Sequence, residues 1–122
     1  MTEIPIDGAR GTVQLQNGVL HVHWIPGLAI CEEAATAVMS AVNGLSRGNA
    51  YPMLVDMAAT ASMSRGARRV FARPSIVARV ALLGSSPVDR ALANFFLRIH
   101  SPAASTRYFT CPEEALAWLQ HR

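Results

Sequence analysis

The sequence of 122 residues contains no lysine: all 11 basic residues are arginines, against 8 acidic residues, for a formal net charge of +3. This small excess falls well short of the dense positive stripe of a dedicated nucleic-acid-binding domain, so we expect no nucleic-acid partner. Charged residues make up only 16% of the chain and hydrophobic residues 51%. This balance is typical of a globular domain with a sizeable core.

Cysteine and long apolar runs are also scarce. The two cysteines, Cys31 and Cys111, stand far apart, which excludes a disulfide framework and a cysteine zinc site. No apolar run approaches the roughly 20 residues of a membrane span, and the stretch from Met1 to Asp7 carries acid where a signal peptide carries positive charge. We therefore expect a cytoplasmic protein that forms one domain over residues 1–122.

The common catalytic motifs are missing. The sequence has no G-x-G-x-x-G, no Walker A motif, no G-x-S-x-G and no H-E-x-x-H. Dinucleotide-binding enzymes, serine hydrolases of the α/β type and zinc proteases each require one of these patterns. We therefore expect a protein that is not an enzyme and has neither a cofactor nor a metal.

Residues 12–25 have the pattern of a β-hairpin. Asn17-Gly18 supplies the two positive-φ positions of a tight turn between two alternating segments. Because side chains alternate along a strand, the second strand presents a core face and a wetter face: these are Leu20, Val22 and Trp24 against His21 and His23. No further ligand lies near the two histidines in sequence, so we expect them on a solvent face or at a subunit contact.

Amphipathic helices and short apolar strands alternate after the hairpin. The predicted helices cover 32–47 (ended by Gly44 or Gly48), 65 to about 73 (capped by Ser64), 86–100, and a last helix opened by the S/T-x-x-E capping box Thr110 to Glu113. The predicted strands cover 51–56, 80–83 and 107–109. Since strands separated by helices need crossover connections, the order ββαβαβαβα predicts an α/β fold with a mostly parallel sheet and an N-terminal antiparallel hairpin.

Several short motifs follow one another along the chain: His23 to Gly27, Leu54 to Met57, Ser64-Arg65 with Ala67 to Arg69, Gly84 to Pro87, and Asn94 to Phe96. Their order resembles the SpoIIAA-like fold of STAS domains and small CRAL-TRIO-like proteins, and more narrowly a group of small actinobacterial stand-alone domains. The resemblance implies a binding fold, used for partner proteins, for anions or nucleotides, or for lipids. Fold alone does not choose among these ligands.

The resemblance also points to a possible phosphorylation site. Antagonist STAS domains carry a phosphorylated serine near the start of the helix that follows the strand ending in aspartate. When the sequence is aligned on Asp56, that neighbourhood holds Ser62, Ser64, Arg65 and Gly66. Ser64 stands where the family has an acid, and Arg65 and Gly66 stand where it has serines. Ser62 and Ser64 are therefore the only phosphoacceptor candidates in this neighbourhood.

The most distinctive polar group is the arginine-rich helix after Asp56. Arg65, Arg68 and Arg69, with Ser62 and Ser64 before them, suit an anionic ligand or an acidic protein partner, because a guanidinium binds carboxylate and phosphate through paired N–H groups. The structural alternative is a solvated helix face capped by Ser64. Asp56 lies at the carboxyl end of a buried strand, where ligands of α/β sheets bind, or else it bonds the following loop.

Two hypotheses follow for the function. The first is a regulatory, non-enzymatic binding module whose site comprises Asp56, Ser62, Ser64, Arg65, Arg68 and Arg69. The second is a carrier of a small apolar molecule or lipid in a pocket between a helix and the sheet near Phe96, lined also by Met53 and Trp24. The edge hairpin and the aromatic helix containing Phe96 also predict a homodimer.

Overall fold

A computed structural model describes residues 3–6, 11–25, 27, 29–56, 62–72, 77, 79–84, 90–91, 94 and 105–120. The strands are β1 (Glu3–Ile6), β2 (Gly11–Gln16), β3 (Val19–Trp24), β4 (Ala29–Ile30), β5 (Met53–Asp56), β6 (Ser62–Met63), β7 (Arg79–Leu83) and β8 (Ser105–Phe109). The helices are α1 (Glu32–Ser46), α2 (Arg65–Ala72) and α3 (Pro112–Gln120). Arg90, Ala91 and Asn94, within the predicted third helix, have helical backbone.

The main sheet has six strands in the order β1-β2-β3-β5-β7-β8. β1, β2 and β3 pair antiparallel, and β3, β5, β7 and β8 pair parallel. The predicted α/β fold, with its mostly parallel sheet and N-terminal hairpin, is confirmed. The hairpin turn has the predicted positive φ at Asn17 (+52°) and Gly18 (+76°), which two-residue turns of the I′ class require.

Helices cover both faces of this sheet. α1 and α2 pack on one face, where Val22 of β3 and Met53 of β5 form one core with Val38 of α1 and Val70 of α2. α3 packs on the other face, where Leu119 meets Leu54 of β5. The central strands β5 and β7 therefore have helices packed over both of their faces, which explains why they are nearly continuous apolar runs in the sequence.

The helix ends refine the predicted boundaries. Of the two glycines proposed to end α1, Gly44 is wrong because the helix continues to Ser46. Arg47 (φ +48°) and Gly48 (φ +84°) follow in left-handed conformation, as helix C-termini commonly do. α3 begins at Pro112, with Cys111 before it. The predicted capping box at Thr110 is therefore wrong by one residue, since proline favours the first helical position.

Three of the strands, β1, β4 and β6, have no counterpart in the sequence prediction. β1 contains Pro5, which lacks an N–H donor and is tolerated because β1 is an edge strand of the sheet. β4 and β6 are only two residues long and pair parallel with each other, so that Ser62, expected in a loop, lies in β6. None of the described helices is long and apolar enough to span a membrane.

Candidate functional site

The arginines of α2 differ in exposure: two are exposed to solvent and one is half-buried. Ala67 and Val70 are 0% and 5% exposed and anchor the helix in the core. Arg65 and Arg69, one helical turn apart, are exposed, whereas Arg68 is half-buried and interacts with other groups of the protein. The predicted solvated helix face is thus confirmed for Arg65 and Arg69. Arg65 and Arg69 form what we call the arginine flank.

Ser64 holds the start of α2. Its hydroxyl oxygen accepts a hydrogen bond of 3.0 Å from the backbone N–H of Ala67, and its carbonyl accepts one of 3.1 Å from the N–H of Arg68. These are the bonds of an N-cap residue. The side chain is exposed, as is that of Ser62 in β6. The structure thus assigns Ser64 its predicted structural role and places both serines at the surface near the arginine flank.

A carboxylate from another helix lies at the first turn of α2. The side chain of Glu32, at the start of α1, lies so close to Gly66 that a Cβ atom at position 66 would overlap the Glu32 carboxylate. α1 and α2 begin side by side because Ser64 donates its N–H to the carbonyl of Ile30, just before α1. Sequence reasoning missed Glu32, since a first-turn glutamate is common in any helix.

Asp56 does not join the arginine flank. Alternate residues of a strand point to opposite faces, so Asp56 lies on the same sheet face as Leu54, which packs against α3. The arginine helix packs on the other face, with Val55. The Asp56 carboxylate lies 3.6 Å from Nδ1 of His23 instead. Residues 57–61, predicted to link Asp56 to the serines, lie outside the described part of the chain.

His21 and His23 lie side by side on the face expected from the alternation of β3. Their rings are stacked, 6.4 Å apart between centroids and only 12° from parallel. Burial, and secondarily the charge of His23, lower the pKa of His21 below its ordinary value of 6.5. Within the described residues no group of three or more potential ligands is arranged to hold a metal ion.

Each cysteine lies just before a helix and two residues before a glutamate. The Cys111 thiol donates a 3.1 Å hydrogen bond to Oε2 of Glu113, and this bond, with one from the backbone, holds the pKa of Glu113 below its usual value. The backbone and then Cys31 lower the pKa of Glu33 in the same way. Both thiols therefore serve as donors to first-turn carboxylates.

The residues of the predicted apolar pocket do not converge in the described structure. Met53 and Trp24 are 3% and 7% exposed and pack in the core beneath α1 and α2. Phe96, the third residue of the predicted pocket, lies outside the described residues. The described contacts of Met53 and Trp24 are those of ordinary core residues.

Comparison with known proteins places the chain in a family. Residues 13–122 match the family described as "Domain of unknown function (DUF7793)". The chain belongs to this family. No curated protein matches the sequence.

One solved structure establishes the fold of this DUF7793 chain. It is similar to a DUF3478-family protein with a SpoIIAA-like fold from Shewanella loihica PV-4, with a TM-score of 0.62 and 13% identity over 98% of this chain and 96% of that chain. A protein with unknown function from Arthrobacter sp. FB24 is 50% identical over 90% of this chain and 99% of that chain, with a TM-score of 0.36. The predicted SpoIIAA-like fold is confirmed.

Proposed function

We propose that this DUF7793 protein is a non-enzymatic, regulatory binding module that recognises phosphate or carboxylate groups through the arginine flank of α2. The observation that carries the proposal is the exposure of Arg65 and Arg69 and their lack of a carboxylate partner among the described residues. Both are exposed, and among the described residues no carboxylate pairs with either of them. A guanidinium without an internal partner keeps its N–H groups for an external anion.

The rigidity of α2 supports this proposal. Ala67 and Val70 bury the core side of the helix, and Ser64 caps it. The Cβ atoms of the two arginines are therefore held about 6 Å apart, the spacing of side chains one turn apart on a helix. A pre-organised pair loses less conformational entropy on binding than two arginines on a loop.

The Glu32 carboxylate directs an anion to the flank of α2 rather than to its N-terminus. The free N–H groups of a helix N-terminus usually attract anions. In this protein Glu32 lies beside Gly66 in that first turn, so like charge opposes a second anion there. A ligand anion therefore contacts Arg65 and Arg69 from the side, which suits an acidic protein surface as well as a small phosphate compound.

Calorimetric titration with tripolyphosphate and, separately, with an acidic peptide tests the proposal and distinguishes the two sources of anion. The double variant R65A/R69A removes the flank. We expect about tenfold weaker binding, because two exposed charge-assisted contacts of about 0.7 kcal/mol each correspond to that factor.

Native mass spectrometry of the purified protein measures the number of subunits and so tests the expected homodimer.

The matched control is R90A/R107A. Arg90 and Arg107 are also exposed and lie over the rings of Tyr108 and Phe109, respectively. This variant also loses two positive charges, but at positions away from α2. If the arginine flank is the site, the affinity of this variant for the anion should stay within about twofold of the wild-type affinity. Equal loss in both variants would mean attraction by net charge alone. A copurified apolar molecule in the mass spectrum would favour the carrier hypothesis instead.

A further inference from the structure

A polar patch lies on the sheet face that carries α3, at the side of the antiparallel strands. α3 packs against β5, β7 and β8 on this face. Beside it, β2 and β3 present Thr12, Gln14, His21 and His23, in register with each other, and β5 adds Asp56 opposite His23. The side chains of these residues belong neither to the hydrophobic cores nor to the proposed anion site.

We propose that His21, His23 and Asp56 form a proton-sensitive patch whose net charge reverses sign, and whose stacked rings separate, between neutral and mildly acidic pH. The patch is distinct from the arginine flank, because it lies on the opposite face of the sheet. Its operation therefore does not depend on the proposed function of α2.

The charge reversal follows from the three groups that meet there. With both imidazoles neutral, the Asp56 carboxylate leaves the patch with one negative charge. With both protonated, the same patch carries one positive charge. Because burial and the neighbouring histidine lower the pKa of His21, the reversal is completed on the acidic side of 6.5.

The separation of the rings follows from their stacking. Two neutral imidazoles 6.4 Å apart and nearly parallel are compatible neighbours, but two imidazolium ions in that arrangement repel. The Asp56 carboxylate, 3.6 Å from His23, attracts that ring, and within the described part of the chain no comparable charge faces His21. His21 is paired across β2 with Gln14 and across β5 with Leu54, both neutral. Protonated His21 is therefore the ring that moves outward.

The surroundings contain few other charges. Thr12 and Gln14 of β2 are neutral, and Glu3 of β1 lies in register with Gln14, one strand farther away. The acidic residues of α3, Glu113 and Glu114, lie in its first turn, and Glu113 is engaged by Cys111. Arg107 is two strands from Leu54 in the row that contains His21. Asp56 is therefore the nearest described charge to the pair.

Nuclear magnetic resonance of the imidazole rings tests the patch in the full chain. We expect the His21 midpoint below 6.5, and a shift of that midpoint toward 6.5 in H23Q, because the neighbouring cation is removed. Ring-to-ring contacts between His21 and His23 should be visible at about pH 7.5 and lost at about pH 5. E114Q serves as a charge control and should leave the His21 midpoint unchanged.

Capillary electrophoresis measures the charge reversal directly. Relative to H21Q/H23Q, the wild-type chain should have nearly equal mobility at about pH 7.5 and more than one additional positive charge in mild acid, once the pH lies below the lowered pKa of His21. A His21 midpoint that is the same in H23Q, or ring contacts that persist in acid, would overturn the proposal, as would a gain of one charge or less. R65A/R69A should have the wild-type His21 midpoint and lose its ring contacts at the same pH, so failure of the arginine flank is seen separately.

Discussion

Glu32 in the first turn of α1 and Gly66 in the first turn of α2 are in direct contact, with no room for a side chain between them. A Cβ atom on residue 66 would lie 3.0 Å from the Cβ and 3.2 Å from the Cδ of Glu32, and closer still to its carboxylate. The carboxylate can rotate away, but Cβ of Glu32 is fixed to the α1 backbone. Gly66 therefore sets how closely the two helices approach.

The first prediction is that G66A lowers the free energy of unfolding, although alanine is the better helix former. Overpacking costs about 1–3 kcal/mol, and the gain in helix propensity offsets roughly 1 kcal/mol. We expect a net loss of about 1 kcal/mol, measured by urea denaturation.

Gly44 of α1 provides the matched control for that variant. It is a helical glycine, but a Cβ there would meet nothing within 4 Å. G44A should therefore raise the free energy of unfolding by about 0.5–1 kcal/mol. If both alanines stabilise the protein, the contact between Glu32 and Gly66 is not a packing constraint.

The second prediction concerns the cap of α2. S64A removes the acceptor of the Ala67 N–H bond, so we expect a loss of about 1 kcal/mol in the free energy of unfolding. S62A, at an exposed position two residues earlier, should change it by less than about 0.5 kcal/mol. Chemical denaturation of both variants checks the difference; similar values for the two would argue against the cap.

The third prediction concerns Arg79 and the end of α3. Its guanidinium donates a 2.7 Å hydrogen bond to the carbonyl of Trp118 and lies 5.3 Å from the centre of the Trp118 ring. A cation is favourable at the C-terminal end of a helix, so R79A should destabilise the fold by about 1–2 kcal/mol and change the tryptophan fluorescence.

R107A is the comparison for that variant. Arg107 lies 5.8 Å from the centre of the same Trp118 ring but is exposed, and no described hydrogen bond holds its guanidinium. Its loss should cost about 0.5 kcal/mol. A cost equal to that of R79A would show that the ring contact, rather than the bond to the helix end, supplies the stability.

The fourth prediction is a dependence of stability on pH. Burial, followed by the charge of His23, lowers the pKa of His21 in the folded protein below 6.5. As the pH falls below 6.5, the unfolded chain therefore binds the proton before the folded one, and the free energy of unfolding decreases until the folded-state pKa is passed. Urea midpoints measured across this range should fall with pH, and H21Q should flatten that fall.

The amino-acid sequence by itself determined the local features of this protein. The turn at Asn17-Gly18, the alternation of histidines with core residues in β3, and the cap at Ser64 each depend on residues only a few positions apart. Backbone conformation and side-chain direction within one element follow from such short spacings. The order of strands and helices along the chain also predicted the parallel sheet, since strands separated by helices require crossover connections.

The tertiary structure alone decided which distant residues meet. Asp56 contacts His23 rather than the arginines of α2, because β5 pairs with β3 and the alternation of the strand turns the carboxylate to the other face. Glu32 meets Gly66, and Arg79 meets Trp118, through the packing of separate elements. The segment containing Pro5 likewise forms a strand only because β1 lies at the edge of the sheet, where the missing N–H of proline is tolerated. Register and packing between elements depend on the whole fold, and no local spacing encodes them.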